Sequence, residues 1–281
     1  MSRVDLHIHS TASDGRLTPA EIVRETAGRG LTFIALTDHD SIDGVASAQA
    51  AACAFPGLKV IPGVEISTDI PQNEIHILGY FIDYTNPEFN AALDRFKKSR
   101  LQRGQKMVAK LNKLGIHIDW QRVTEIASGS SIGRPHIAQA MLEKGYITSF
   151  KQAFTEYLGH NRPAYVEREK MTPKEAVELI IKAEGLPVLA HPLFLTDPEA
   201  MTIELKDAGL VGIEAYYNGY TTEEISRLVT LAEKYKLIVT GGSDYHGLDP
   251  TETAIGDADL PMEALEQLIA LAKQRKPKLR L

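Results

Sequence analysis

The sequence has few of the features that mark secreted or membrane proteins. Its 281 residues include a single cysteine, Cys53, so no disulfide can form within the chain. The alanine-rich surroundings of Cys53 predict a buried helical side chain rather than a catalytic thiol. No segment approaches 18 uninterrupted apolar residues, which excludes a membrane-spanning helix. We expect no signal peptide, because Arg3 and Asp5 interrupt any apolar core near the N-terminus. These absences predict a cytoplasmic protein without a membrane partner.

The chain also lacks an excess of positive charge. Lys and Arg number 31 against 37 Asp and Glu, which gives a formal net charge of -6 at pH 7. Domains that coat nucleic acid are usually strongly basic, so a general DNA-coating function is excluded. A small anionic substrate remains compatible with this charge, because a few arginines and metal ions can reverse the local potential.

Short apolar segments alternate with amphipathic helical segments along most of the chain. This alternation predicts an α/β protein with a mostly parallel sheet. Thr18 with Glu21, and Thr172 with Glu175, have the spacing typical of helix N-caps, and a proline follows each threonine. Seven strands are more than a small open sheet needs, so we expect a barrel. The predicted strands are Val4–Ile8, Phe33–Leu36, Lys59–Ile66, Ile75–Ile82, Pro187–Ala190, Gly212–Ala215 and Leu237–Thr240.

One long stretch breaks this alternation. Between residues 86 and 163 only helical patterns occur, with Leu93, Phe96, Val108, Leu111 and Leu114 at spacings typical of an amphipathic helix. We therefore divide the chain into a first barrel part (1–85), an all-α insertion (86–163) and a second barrel part (164–281). Such an insertion is well placed to cap a site.

Histidines and acidic residues fall at the carboxyl ends of the predicted strands. His7 and His9 are alternate residues of one strand, so their side chains point to the same side. In α/β barrels the active site lies at this end, where the loops after the strands converge. His117 and His160 fall elsewhere, and we interpret them as a structural residue and a loop residue. The residues at the strand ends are His7, His9, Asp14, Asp38, His39, Asp40, Glu65, His191, Glu214, Asn218, Asp244 and His246.

His76 lies near the start of its predicted strand, whereas the other candidate ligands lie at the carboxyl ends of theirs. A hairpin at Pro71 and Asn73 would bring it beside Glu65, at the end of the preceding strand. Imidazole and carboxylate ligands without a thiolate favour Mn, Zn or Fe, and we expect Mn²⁺, with Zn²⁺ or Fe²⁺ as alternatives. The ligands exceed what one ion needs, so two or three ions are expected, with Glu65 as the bridge. Ions about 3.5–4 Å apart recur in phosphoester hydrolysis.

Six segments, DLHIHSTASDG, LTDHD, PGVEIS, HILGY, AHP and GGSDYH, resemble in order the motifs of the PHP (polymerase and histidinol phosphatase) family of metal-dependent phosphoesterases. The resemblance covers nearly the whole chain apart from the insertion, and it implies a distorted (β/α)7 PHP barrel. We interpret Asp40, His191 and His246 as catalytic residues, with Asp40 assisting proton transfer or contacting the sugar. The ligand sets that the resemblance implies are His7, His9, Glu65 and Asp244 for one ion, Asp14, His39 and His246 for a second, and Glu65, His76 and His191 for a third.

The segment GRPHIAQAM of the insertion most resembles a bacterial branch of small phosphatases that act on nucleoside 3',5'-bisphosphates and also trim 5' ends of short RNAs. The planar fork of arginine suits phosphate, and Arg134 lies at a predicted helix start, where free amides favour anions. We interpret Lys97, Lys98 and Lys106 as a solvated basic face. The predicted substrate residues are Asp40, Ser99, Arg100, Arg103, Arg134, His136 and Asn218.

Four interpretations of the function are open at this point. The leading one is a phosphomonoesterase that removes the 3'-phosphate from nucleoside 3',5'-bisphosphates to give the 5'-monophosphate, and that also trims short 5'-phosphorylated RNA. The second is a phosphatase for histidinol phosphate or another small molecule. The third is an amidohydrolase, although such enzymes commonly use a carboxylated lysine as bridge and no lysine lies at a strand end here. The fourth is a metal-stabilised binding or regulatory module.

Overall fold

The computed structural model describes residues 4–70, 73–127, 131–167, 171–248 and 254–277. Seven strands form one sheet in the order of the chain. They are β1 (Val4–Ile8), β2 (Phe33–Leu36), β3 (Lys59–Ile70), β4 (Asn73–Tyr80), β5 (Leu186–Leu189), β6 (Gly212–Tyr217) and β7 (Ile238–Gly242). The described α-helices are α1 (Pro19–Gly28), α2 (Val45–Ala52), α3 (Pro87–Lys113), α4 (Trp120–Ala127), α5 (Arg134–Glu143), α6 (Phe150–Ala153), α7 (Pro173–Lys182), α8 (Pro198–Ala208), α9 (Thr222–Tyr235) and α10 (Met262–Arg275). A π-helical turn, Phe154–Leu158, and a 3-10 turn, Pro192–Phe194, complete the helical segments of the described residues.

The sheet curves into a nearly closed, distorted barrel. Strands β1 to β3 are parallel, as are β5 to β7, whereas β4 runs antiparallel to both of its neighbours. The segment after β7 returns to β1, because the amide of Asp244 donates to the carbonyl of His7 (2.9 Å) and that of His9 donates to the carbonyl of Tyr245 (3.0 Å). The seven-stranded, mostly parallel α/β barrel is confirmed.

The hairpin between β3 and β4 is also confirmed. Its two strands extend further towards the turn than the sequence predicts, because their pairing continues to Ile70 opposite Asn73. Pro71, which we predicted in that turn, lies outside the described residues. Strand pairing sets Ser67 opposite His76 and thereby carries His76 back to the barrel rim.

Local signals in the sequence explain where the helices begin. Thr18 and Thr172 cap α1 and α7, each in a reciprocal pair with the glutamate three residues later, as predicted. The prediction for Cys53 is wrong: its side chain is exposed. Helix α2 ends at Ala52, and Cys53 follows it on the side of the chain that faces solvent.

Between β4 and α7 the described residues form helices and loops but no strand, as expected. The start of α3, with Phe89 and Leu93, packs on the barrel core. Its later part, with Met107 and Leu111, packs instead in a second core that includes Met141 of α5. Helix α3 therefore connects the barrel with the helical layer, while the division at 85/86 and 163/164 stays a prediction.

Hydropathy gives one further result. Within the described parts of the chain, we find no helix that combines the length and the apolar character needed to cross a membrane.

Candidate metal centre and substrate cleft

Strand β1 supplies two imidazoles to the carboxyl end of the barrel. His7 Nε2 lies 3.3 Å from Glu65 Oε2 and 3.2 Å from Asp244 Oδ1. His9 Nε2 lies 3.2 Å and 3.0 Å from the same two oxygens. The four side chains therefore converge as one group that could hold a metal ion.

A second group shares His9 with the first. It consists of His9, Asp14, His39 and His246. Asp14 Oδ1 lies 3.5 Å from His246 Nε2 and 3.8 Å from His9 Nδ1. The predicted set of Asp14, His39 and His246 is thus brought together, and the structure adds His9 to it.

Glu65 lies between the imidazoles of a third group, which contains His39 and His76. Its Oε2 atom is 3.0 Å from His39 Nδ1, and its Oε1 atom is 2.9 Å from His76 Nδ1. His191 Nε2 lies 3.2 Å from both Glu65 Oε1 and His76 Nδ1. Both oxygens of Glu65 therefore face histidines, which is the arrangement that a bridging carboxylate requires.

The atoms at the centre of these groups fit metal ions. They are shielded from water, yet their neighbours do not offer them hydrogen bonds of good geometry. Buried polar atoms without partners are costly, and a cation coordinated by them would remove that cost. The atoms in this state are His7 Nε2, His9 Nδ1 and Nε2, Asp14 Oδ1, Glu65 Oε2 and Asp244 Oδ1.

Electrostatics at the centre favour ionised carboxylates. Burial raises the pKa values of Glu65, Asp244 and Asp14, but the surrounding histidines outweigh burial and leave all three pKa values lowered. Burial by itself lowers the pKa of His9, yet Asp244 and Glu65 raise it to about 10. His39 behaves in the opposite way, since burial lowers its pKa to about 4. The carboxylates are ready to bind a cation, whereas His9 must first release a proton.

A shell of buried polar side chains orients the candidate ligands. Glu214 accepts hydrogen bonds from His7 Nδ1 (2.9 Å) and from the backbone amide of His191 (2.8 Å). The hydroxyl of Tyr217 donates to Asp244 Oδ2 (2.8 Å). Such outer contacts fix the orientation of metal ligands. Glu214 lies at a predicted strand end but orients ligands from behind, and Tyr217 is absent from the predicted site.

Two further buried acids hold the backbone around the centre: Asp38, which falls at a predicted strand end, and Asp5, which does not. Asp5 Oδ1 accepts hydrogen bonds from the backbone amides of His7 (3.2 Å) and Ser243 (3.0 Å). Asp38 Oδ1 accepts one from the amide of Ser10 (2.7 Å) and holds the loop after β1. The alternation Asp5-His7 in β1 was an available signal for Asp5, because alternate residues share a side of a strand.

Unusual backbone conformations occur at three of the predicted site residues. Asp40, His191 and Asp244 have positive φ values of 49°, 28° and 53°. Non-glycine residues rarely adopt this region, and such strain tends to collect at functional sites. The amide of His191 is held to Glu214 in this conformation.

Helices α3 and α5 of the insertion place three arginines beside the ligand groups. Arg100 is buried, with Nε donating to Asp40 Oδ2 (2.6 Å) and Nη2 donating to Ser67 Oγ (2.6 Å). Beside it is a cavity of about 150 Å³, which we call the arginine cleft. The arginine cleft is lined by Asp14, His39, Ser67, Glu74, His76, Arg100, Arg103, Arg134, Pro135, Phe154 and His246.

The other two arginines of the cleft meet at Glu74, which was not predicted from the sequence. Arg134 forms an ion pair with Glu74, and its guanidinium lies 5.3 Å from the centre of the Phe154 ring. Arg103 Nη1 is 4.0 Å from Glu74 Oε1, while its Nε donates to the carbonyl of Val166 (2.7 Å). The arginine cleft is therefore basic, but an internal carboxylate balances part of its charge.

Four predicted substrate residues are not part of the wall of the arginine cleft. One of them is Asp40, which accepts a hydrogen bond from Arg100. Ser99 lines a neighbouring cavity of about 300 Å³, whose wall includes Arg103. His136 is buried, and its Nδ1 accepts a hydrogen bond from the amide of Gly133 (2.9 Å) at the start of α5. Asn218 lies half-buried in the turn after β6. Substrate contacts by these four residues, and catalytic roles for Asp40, His191 and His246, stay predictions.

The remaining basic residues lie where surface groups are expected. Lys98 and Lys106 are exposed, and both line the cavity that contains Ser99. Lys97 forms an ion pair with Asp43. His117 is exposed and His160 lies in a turn. Neither of these two histidines takes part in the three ligand groups.

Comparison with known proteins identifies the family. The PHP domain matches residues 5–186, which is more than half of the chain. The chain belongs to the PHP domain family. This PHP chain resembles the 3',5'-nucleoside bisphosphate phosphatase of Chromobacterium violaceum, with 32% identity over 267 residues and 93% of each chain covered. It also resembles the 5'-3' exoribonuclease of Haemophilus influenzae, with 35% identity and coverage of 87% of this chain and 90% of that relative.

Two solved structures match the PHP chain almost end to end. One, from Bifidobacterium adolescentis, is assigned to the metal-dependent phosphoesterases and has a TM-score of 0.87, 28% identity and 95% coverage of both chains. The other, from Chromobacterium violaceum, is described as an amidohydrolase with bound sulfate and has a TM-score of 0.85, 31% identity and 96% coverage of both chains. The family, these matches and the ligand groups together support a metal-dependent phosphoesterase.

Proposed function

We propose that the protein is a phosphomonoesterase that removes the 3'-phosphate from nucleoside 3',5'-bisphosphates and leaves the 5'-monophosphate. One observation carries this proposal: Arg100, Arg103 and Arg134 line the same cleft as His39 and His246, which belong to the ligand groups. A substrate with two phosphates can therefore place one at the metal centre and the other against the arginines. The Chromobacterium relative named for this activity supports the same substrate.

The residues of the three ligand groups would hold the ions, and Glu65 would bridge them. We propose Mn²⁺, with Zn²⁺ or Fe²⁺ as alternatives, because mixed imidazole and carboxylate donors suit all three. When bound, divalent ions supply Lewis acidity towards phosphoryl oxygens and lower the pKa of water. The carboxylates of Asp14, Glu65 and Asp244, with lowered pKa values, are ionised for this purpose at neutral pH.

The arginine cleft supplies the selectivity for substrates. Its volume of about 150 Å³ suits a phosphate group better than a whole nucleoside. Arg100 is held ready by Asp40 and Ser67. A phosphate dianion that entered would compete with Glu74 for Arg134. Because the helical insertion (86–163) supplies all three arginines, we propose it as a cap that selects the substrate.

A second substrate, short 5'-phosphorylated RNA, is favoured by the cavity next to the arginine cleft. Arg103 lines both cavities, and the second one also contains Ser99, Lys98 and Lys106. This basic continuation suits the next phosphate of a polynucleotide. The Haemophilus relative is named as an exoribonuclease.

The ligand groups favour phosphoester hydrolysis over hydrolysis of a C–N bond. Amidohydrolases commonly use a carboxylated lysine as the bridge between two ions, whereas here the carboxylate of Glu65 lies between the imidazoles of His39 and His76 and can fill that role. Three ligand groups beside a cleft that fits a phosphate group also favour an enzyme over a binding module.

Substrate profiling tests the proposal. Wild-type protein loaded with Mn²⁺ is assayed with adenosine 3',5'-bisphosphate, 3'-AMP, 5'-AMP, histidinol phosphate, an aryl phosphate, a model amide and short 5'-phosphorylated RNA. We expect the largest kcat/KM for the bisphosphate and complete loss of activity with a chelator. A preference for histidinol phosphate would contradict the nucleotide assignment, and turnover of the amide alone would contradict the phosphoesterase assignment.

A further inference from the structure

Phe194 stands out among the apolar side chains of the described residues. Its side chain is 58% exposed, more than that of any other large hydrophobic residue in those ranges. Its ring also touches the metal centre, since its centroid lies 5.0 Å from that of His191. An exposed aromatic ring beside a hydrolytic centre is placed to meet substrate rather than the protein core.

The ring is held in this position by the structure around it. Phe194 ends a single 3-10 turn, Pro192–Phe194, and its amide donates to the carbonyl of His191 (3.1 Å). Its ring packs edge-on against Tyr217, at a centroid distance of 5.6 Å. The hydroxyl of Tyr217 is itself bonded to Asp244. The aromatic surface is therefore preorganised, which lowers the entropic cost of binding.

Phe194 lies outside the arginine cleft, beside a histidine that the cleft wall does not include. The arginine cleft is lined by His39, His76 and His246, whereas His191 and Phe194 are not part of its wall. In a nucleoside 3',5'-bisphosphate, the two phosphates and the base leave the ribose at three different carbons. With one phosphate at the metal ions and the other in the arginine cleft, the base needs a third surface outside that cleft.

We propose that Phe194 is this surface and stacks on the nucleobase of the substrate. The inference rests on the proposed function and adds a specificity-determining residue to it. An aromatic face accepts every base, because stacking uses the π-face and no hydrogen-bonding edge. The enzyme therefore requires a base but discriminates weakly between bases.

The test compares the effect of Phe194 on substrates with and without a base. Phe194→Leu, Phe194→Tyr and wild type are assayed with adenosine 3',5'-bisphosphate, with its uridine counterpart and with the abasic sugar bisphosphate. Stacking of one base changes affinity by roughly five- to a hundredfold. We expect Phe194→Leu to lower kcat/KM by about that factor on both nucleotides and to leave kcat/KM on the abasic compound unchanged. Phe194→Tyr should keep the wild-type kcat/KM on all three.

A binding measurement makes the test independent of turnover. The fluorescence of 2-aminopurine riboside 5'-monophosphate should be quenched by wild type and by Phe194→Tyr, but much less by Phe194→Leu. Tyr146→Leu serves as the matched control, because Tyr146 is an exposed aromatic residue of the helical layer. Metal content should be equal in all four proteins.

The outcomes separate the inference from the function on which it rests. Equal losses by Phe194→Leu on the nucleotide and the abasic compound, or no loss on either, would overturn the stacking role while the phosphatase assignment stands. Wild-type preference for a phosphate without a nucleoside would overturn the proposed function, and stacking with it.

Discussion

The carboxylate of Glu214 lies 2.9 Å from Nδ1 of His7 and so determines which nitrogen of that ring faces the metal centre. With Nδ1 engaged, Nε2 is directed at Glu65 and Asp244. The other oxygen of Glu214 holds the backbone amide of His191. One buried acid thus orients two candidate ligands that are far apart in the sequence, one in β1 and one in the loop after β5.

Replacing this acid should weaken metal binding without unfolding the protein. Glu214→Gln keeps the size of the side chain, but it replaces one of the two accepting oxygens with an NH2 group that can only donate, so one of the two hydrogen bonds is lost. Loss of such an outer contact typically lowers metal affinity by about ten- to a hundredfold. Titration with Mn²⁺ measures the change, and Glu233→Gln on the exposed face of α9 is the control. Unchanged affinity in Glu214→Gln would mean that the orienting contact is dispensable.

Removing a candidate ligand should abolish activity on every substrate. His9→Ala takes one imidazole from two ligand groups, and Asp244→Ala takes a carboxylate from one. We expect both variants to fold, to bind fewer ions per chain and to lose nearly all turnover. Elemental analysis and circular dichroism measure these effects. His117→Ala is the matched control, because that histidine is exposed and outside the groups. Full activity of His9→Ala in chelator would contradict the metal centre.

The arginine cleft predicts a loss that depends on the substrate. Arg134→Ala removes a charge-assisted contact worth roughly 1.5–3 kcal/mol, or about ten- to a hundredfold in kcat/KM. We expect this loss on adenosine 3',5'-bisphosphate and a much smaller one on a simple aryl phosphate. Arg122→Ala is the control, since Arg122 pairs with Glu143 and Glu125 on the surface of α4. Similar losses on both substrates would show that Arg134 acts on the centre itself and not on a second phosphate.

Metal affinity should rise with pH. In the metal-free protein His9 has a pKa raised to about 10, so it carries a proton at neutral pH. An ion must displace that proton, and affinity therefore increases by up to about tenfold per pH unit below this pKa. Calorimetric titration with Mn²⁺ between about pH 6.5 and 8.5, in buffers of different ionisation enthalpy, measures both affinity and proton release. Binding that is independent of pH and releases no proton would contradict this protonation state.

The same pKa sets the sign of a stability change in the metal-free protein. The folded-state pKa of His9 lies above its ordinary value of 6.5. The contribution of His9 to the free energy of unfolding is therefore fully present below pH 6.5 and is lost as the pH rises towards about 10. In chelator, the melting temperature of the wild type should therefore fall as the pH rises over this range. The melting temperature of His9→Asn should depend less on pH.

Much of this protein was readable from the sequence, because the relevant signals are local. Alternating apolar segments and capping pairs such as Thr172 with Glu175 depend on neighbours in the chain, so the strands and helix starts were predictable. His7 and His9 share a side of β1 by the period of a strand alone. The hairpin that returns His76 to Glu65 followed from one polar turn between two apolar segments.

Tertiary structure decided what depends on distant partners. Glu74 meets Arg103 and Arg134, and Glu214 supports His7, only after folding joins segments far apart in sequence. A sequence reveals which residues can ligate or carry charge, but not which of their atoms remain without partners once water is excluded. For that reason the sequence predicted candidate ligands by residue type, whereas the orphaned ligand atoms, the contacts of the outer acids and the exposed ring of Phe194 emerged from packing alone.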